Sequence, residues 1–126
     1  MAGGLTLDSG ALIAAEKQSE RFWKVWAVAV KRSAHVTIPT VVLAQAWRGN
    51  SPIIARLLQA CDVEGLDEPR ARRIGRLLAA TRTRDVIDAA VVVGAVARGD
   101  AILTSDPDGI GRLVAGMDST IPVLRL

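Results

Sequence analysis

The 126-residue chain has one cysteine, one histidine and no apolar run of the ~18 residues that a membrane span requires. Cys61 cannot close an internal disulfide, which suits a reducing cytoplasm, and it reads as a small packed hydrophobe. His35 precedes a short strand and has no nearby histidine, cysteine or paired acid. That excludes a transition-metal site there and leaves no Ser-His-Asp arrangement. The start of the chain lacks a basic region followed by an apolar core, so no secretion signal is expected. A glycine-rich phosphate loop is missing as well. The expectation is a cytoplasmic protein with no membrane partner.

What is present is a core. Half of the residues are hydrophobic, which argues against disorder. At this length residues 1–126 form one domain, which removes about two-thirds of its surface from water on folding. The formal charge of +3 is unevenly spread: Arg70, Arg72, Arg73, Arg76, Arg82 and Arg84 crowd into fifteen residues. Such a cluster is either a solvated helix face or a patch that attracts polyanions.

The aspartates carry the chemical argument. Asp8 closes the apolar run Leu5-Thr6-Leu7, and Asp106 follows the run Ala101-Ile102-Leu103-Thr104-Ser105. Asp85 and Asp88 head an otherwise apolar helical stretch, residues 86–97. A carboxylate at the end of a buried strand or the start of a buried helix is costly to desolvate unless positive charge meets it. Several in one small domain point to one shared cation. Mg²⁺ or Mn²⁺, hard ions that prefer oxygen ligands, acting on a phosphate, satisfy that requirement. Asp85 and Asp88 are three apart and so share a helix face, near its positive end. Asp85, Asp106 and Asp108 each have an alternative reading as a helix or turn cap.

Short strands alternate with helices along the chain. Strands are expected at 4–7, 36–38, 61–66, 101–104 and 121–124, and helices at 11–15, 21–32, 40–47, 53–60, after Pro69, 86–97 and 109–115. Ser9, Thr40 and Ser51 are the expected N-caps. Phe22, Val25, Trp26, Ala29 and Val30 recur at helical spacing, and Trp23, Trp26 and Trp47 are read as core or subunit interface. The pattern is α/β, with a short, mostly parallel sheet flanked by helices on both faces. In such sheets ligands bind beyond the carboxyl ends of strands, where Asp8 and Asp106 fall.

Four segments together resemble the motifs of PIN-domain proteins: Leu5 to Ile13, Thr40 to Gly49, Asp85 to Ala90, and Leu103 to Asp108. Their order and spacing match over essentially the whole chain, and the nearest likeness is to VapC-type toxins of bacterial toxin–antitoxin pairs. The resemblance implies a PIN-like fold and a Mg²⁺- or Mn²⁺-dependent endoribonuclease that cuts structured RNA such as tRNA or rRNA with water as nucleophile. It also implies a homodimer and a cognate VapB-like antitoxin that holds the enzyme inactive. Carried over, Asp8, Asp85 or Asp88, and Asp106 become catalytic metal ligands, with Gln45, Asp108, Ser9 and Thr104 as supporting candidates. Arg48, Arg82, Arg84 and Arg112 become candidates for contact with RNA or antitoxin. One departure stands out: the second motif usually offers a glutamate where this chain has Gln45, a neutral and poorer ligand. A catalytically weak module that binds RNA or antitoxin is therefore the competing expectation. A haloacid-dehalogenase-like phosphatase fits badly, because Ser9 and Gly10 follow Asp8 where that family needs a second aspartate.

Overall fold

The computed structural model describes residues 3–126. Its elements are β1 (Leu5–Leu7), α1 (Ser9–Glu16), α2 (Glu20–Lys31), β2 (Val36–Pro39), α3 (Thr40–Ala46), α4 (Pro52–Ala60), β3 (Asp62–Glu64), α5 (Glu68–Thr81), α6 (Val86–Arg98), β4 (Ala101–Thr104), α7 (Pro107–Gly116) and β5 (Val123–Arg125). The five strands form one sheet in the order β3-β2-β1-β4-β5, and every pair is parallel.

Every residue of β1 and β2 is buried, as are three of the four in β4. Successive strand residues point to opposite faces, so continuous burial means that helices cover both. Leu7, Ile38, Ile102 and Leu103 are fully enclosed. α6 is the central helix. Ala89 to Ala95 are all buried, and the helix packs on α3, α5 and α7 and on β1, β2 and β4. Gly99 ends it in the left-handed conformation (φ 72°) that glycine adopts without steric cost.

The chain runs outward from β1 through β2 to β3, then returns to lay β4 against the other side of β1. That reversal opens a crevice beyond the carboxyl ends of β1 and β4. It lies where Asp8 and Asp106 leave the sheet.

Several local expectations need correction. Asp8, not Ser9, caps α1, because its Oδ1 reaches the Ala11 amide at 2.8 Å. α3 begins at Thr40 and is preceded by Pro39, with no side-chain cap. β3 is three residues at an exposed sheet edge, shorter than the strand expected over 61–66. α7 starts at Pro107, where the fixed proline φ favours a first turn, and β5 starts at Val123. Val30 is 59% exposed, while Phe22 and Ala29 carry the buried stripe of α2. Trp47 is 36% exposed, and Trp23 and Trp26 are half-buried around Phe22, whose ring meets Trp23 edge-on with centroids 4.9 Å apart.

Candidate functional site

Three of the four aspartates do structural work with one oxygen each. Oδ1 of Asp8 accepts from the Ala11 amide of α1, Oδ1 of Asp85 from the Asp88 amide of α6 (2.9 Å), and Oδ1 of Asp106 from the Gly109 amide of α7 (3.1 Å). A carboxylate there satisfies an otherwise orphaned amide and faces the positive end of its helix. Capping and ligand chemistry are thus compatible at these positions, because each cap leaves the second oxygen outside that bond.

Thr104 joins two of them. Its Oγ1 accepts from the Asp106 amide at 2.9 Å, and its hydroxyl lies beside the Asp8 carboxylate. Burial pushes the Asp8 carboxyl above its ordinary range, against the Thr104 hydroxyl and the amides of Ala11, Ser105 and Gly10, which favour the charged form. Gly10 makes this crowding possible: a Cβ there would lie 2.1 Å from Ser105 Oγ.

Asp88 is the convergence point. Its carboxyl is pushed up to about 6, first by burial, then by the negative charges of Asp85, Asp8 and Asp106, and last by a hydrogen bond with Asp85. The carboxylates at the ends of β1 and β4 and at the start of α6 therefore act on one group. Among the described residues, however, no three acidic, imidazole or thiol side chains stand close enough to hold one ion in common. The donor set is hard carboxylate oxygen throughout, and its mutual repulsion is what a divalent cation would relieve. The residues fit Mg²⁺ or Mn²⁺ by chemistry.

The other sequence candidates are dispersed. Gln45 is exposed on α3 and takes no part in shifting Asp88, and Asp108 lies exposed in the first turn of α7. Ser9 is half-buried in the first turn of α1. Arg48 is exposed and donates to the Trp47 carbonyl. Arg84 and Arg112 are exposed, as is Arg82, which ends α5 in the left-handed region (φ 54°). The arginine cluster is not one free patch. Arg70 pairs with Glu64 in a partly buried bridge and Arg72 with Glu68 in an exposed one, leaving Arg73, Arg76, Arg82 and Arg84 as its exposed members outside those pairs.

Sequence reasoning passed over a second polar group, in which Arg98 meets Glu64, Asp100 and Thr6. Its signal was Asp100, an acid directly before a buried strand, as conspicuous by desolvation cost as Asp8.

An all-parallel five-stranded α/β sheet with carboxylates gathered beyond β1 and β4 has the PIN-like architecture that the four motifs imply. Comparison with solved structures agrees over nearly the whole chain. A chain of VapBC2 from Rickettsia felis, bound to a DNA fragment from its promoter, superposes with a TM-score of 0.69 at 13% identity, covering 96% of each chain. A chain of DNA-bound VapBC from Salmonella typhimurium gives 0.63 at 17% identity, covering 98% of this chain and 96% of that one. At these identities the likeness is one of fold. No family model and no curated protein sequence matches the chain. No helix among the described residues is long and apolar enough to cross a membrane.

Proposed function

We propose that this protein is a metal-dependent endoribonuclease of the VapC type, hydrolysing phosphodiester bonds in structured RNA and restrained by a VapB-like antitoxin. The observation that carries the reading is the convergence of Asp8, Asp85 and Asp106 on Asp88 at the switch point of a PIN-like sheet. When bound, Mg²⁺ or Mn²⁺ would lower the pKa of a water, polarise the phosphodiester and offset charge in the transition state. Asp8, Asp88 and Asp106, which do not stand within common reach of one ion in the structure, would have to close on it to serve as its ligands, with Asp85 beside Asp88. Thr104 and the helix amides orient the carboxylates, and the Ser105 and Gly10 backbone encloses Asp8. With no cation near, Asp88 takes up a proton only as pH falls through about 6, so the site sheds part of its own charge on mild acidification.

Asp8 is buried, but Asp85 and Asp106 are exposed and Asp88 is half-buried, an approach that suits a polymer better than a small substrate. Exposed Arg82 and Arg84 lie immediately before Asp85 in sequence and supply positive charge for an approaching phosphate backbone. Removing both charges is expected to weaken RNA binding and lower the slope of log K against log salt by about one to two, as one or two phosphate contacts would. Filter binding across a salt series checks this. An unchanged slope would assign that face to solvent.

The antitoxin part of the proposal rests on the VapBC neighbours. It is supported by an apolar cleft of about 620 Å³ lined by Trp23, Trp26, Ile53 and Leu57, with Glu20 and Arg56 among its polar residues. A homodimer belongs to the same proposal. The direct experiment is incubation of purified, antitoxin-free protein with total RNA in Mg²⁺, Mn²⁺ or EDTA. Discrete cuts that EDTA abolishes support the nuclease; intact RNA with both ions, from folded protein, removes it. Gln45 favours the second reading, a weakly catalytic binding module, and a sharp gain in ion affinity and cleavage in Gln45→Glu would select it.

A further inference from the structure

Arg98, the last residue of α6, commits its guanidinium to three separate places. Nε donates to Asp100 Oδ2 at 2.9 Å, Nη1 to Glu64 Oε2 at 2.6 Å, and Nη2 to Thr6 Oγ1 at 2.9 Å. Asp100 is only 2% exposed and also accepts from the Thr6 hydroxyl and the Gly4 amide, both at 2.8 Å. Arg70, from α5, holds the other Glu64 oxygen at 2.9 Å. Burial alone would raise the Glu64 carboxyl, but Arg98 and Arg70 override it and hold it low. Two cations and two anions thus balance beneath α6.

Exchanging a buried ion network for apolar side chains of equal volume is often neutral or stabilising, so net stability is a weak reason for this one. Its directional bonds specify geometry instead. They tie one end of α6 to β1 through Thr6, to β3 through Glu64, and to the lead-in of β4 through Asp100. Gly94 leaves the room: a Cβ there would stand 2.9 Å from Glu64 Oε1, 3.0 Å from Arg70 Nη1 and 3.2 Å from Arg98 Nη2. Asp88 is on the same helix, about 15 Å from Arg98 at 1.5 Å per residue. Asp8 lies two residues beyond Thr6, directly after the end of the strand that Arg98 grips.

We propose that Arg98 is a positioning residue: by locking α6 to β1 it sets where Asp88 stands relative to Asp8. The proposal rests on reading those carboxylates as an ion site. Its test uses the full chain and Mn²⁺ alone, with free ion followed by electron paramagnetic resonance. Arg98→Met should weaken Mn²⁺ binding about tenfold or more, the scale for groups that orient metal ligands. Gly94→Ala, which keeps Arg98 but crowds the network, should move affinity in the same direction. Ile54→Ala, a buried truncation in α4 outside the network, should leave it unchanged, and Arg98→Lys should recover part of the loss. A metal-free crystal structure of Arg98→Met should show α6 displaced along β1. Wild-type affinity in folded Arg98→Met, an equal loss in Ile54→Ala, or an undisplaced α6 overturns the proposal. If the wild-type chain binds no Mn²⁺, the ion-site reading fails instead, and the position of α6 alone decides the role of Arg98.

Discussion

Asp106→Asn is expected to abolish metal-dependent RNA cleavage while leaving the protein folded, and Asp8→Asn should do the same. A ligand carboxylate contributes to a centre that supplies several kcal/mol of charge stabilisation. At 1.36 kcal/mol per factor of ten, the loss should be at least about a hundredfold. Asparagine is the informative replacement because it caps a helix about as well as aspartate, so the bond to the Gly109 amide survives. Alanine would remove charge and cap together, adding about 1 kcal/mol of destabilisation that confuses the result. Cleavage rates beside urea denaturation separate the two effects. Full activity in a folded Asp106→Asn protein would remove that residue from the site.

Asp88→Asn should give the second large effect, a change in how stability depends on pH. The Asp88 carboxyl rises from 3.8 to about 6 in the folded, metal-free protein. The folded state therefore holds its proton more tightly than the unfolded state does. The resulting stabilisation is complete below about pH 4 and is lost as pH rises through about 6. A displacement of that size corresponds to roughly 3 kcal/mol, reduced to about 1–2 because Asp88 is only half-buried and water screens its neighbours. At about pH 7.5 the metal-free variant should be more stable than the parent by that amount, and at about pH 4 the two should converge. A residual slope of the same sign should persist, because the Asp8 carboxyl is raised as well. Saturating Mn²⁺ should stabilise the parent and not the variant. Denaturation in EDTA across this range checks the prediction, and parallel profiles for the two proteins would refute it.

The layout of the fold is readable in the sequence because its signals are local. Apolar runs of three or four residues, proline at first turns and glycine after α6 place most elements. The two strand-end aspartates are legible for the same reason, since desolvation cost makes a charge beside a buried strand conspicuous. The cap of α1 is not legible in the sequence, because Asp8 and Ser9 are adjacent cap residues and which one caps depends on where the first turn starts. The exposure of Val30 is not legible either, because apolar spacing on α2 is denser than the one stripe the core can accept. The Arg98 network escaped notice because its partners are far apart in the chain: Thr6 and Asp100 are separated by 94 residues and Glu64 and Arg98 by 34. No periodicity links such residues; only the sheet order does. The contrast between Asp85 and Asp88 likewise needed the structure, which makes one an exposed cap and the other the group on which its neighbours act.

The sheet order has a consequence for biosynthesis. Asp8 emerges early, on the central strand, while Asp85, Asp88 and Asp106 all follow in the second half of the chain. β1 remains an unfinished edge until β4 arrives beside it. A nascent chain that has reached Glu64 holds β1 to β3 and a single carboxylate of the four. Any activity built on their convergence therefore waits until Asp106 has been made and β4 has paired with β1. The four carboxylates thus meet only late, when the second side of β1 is closed.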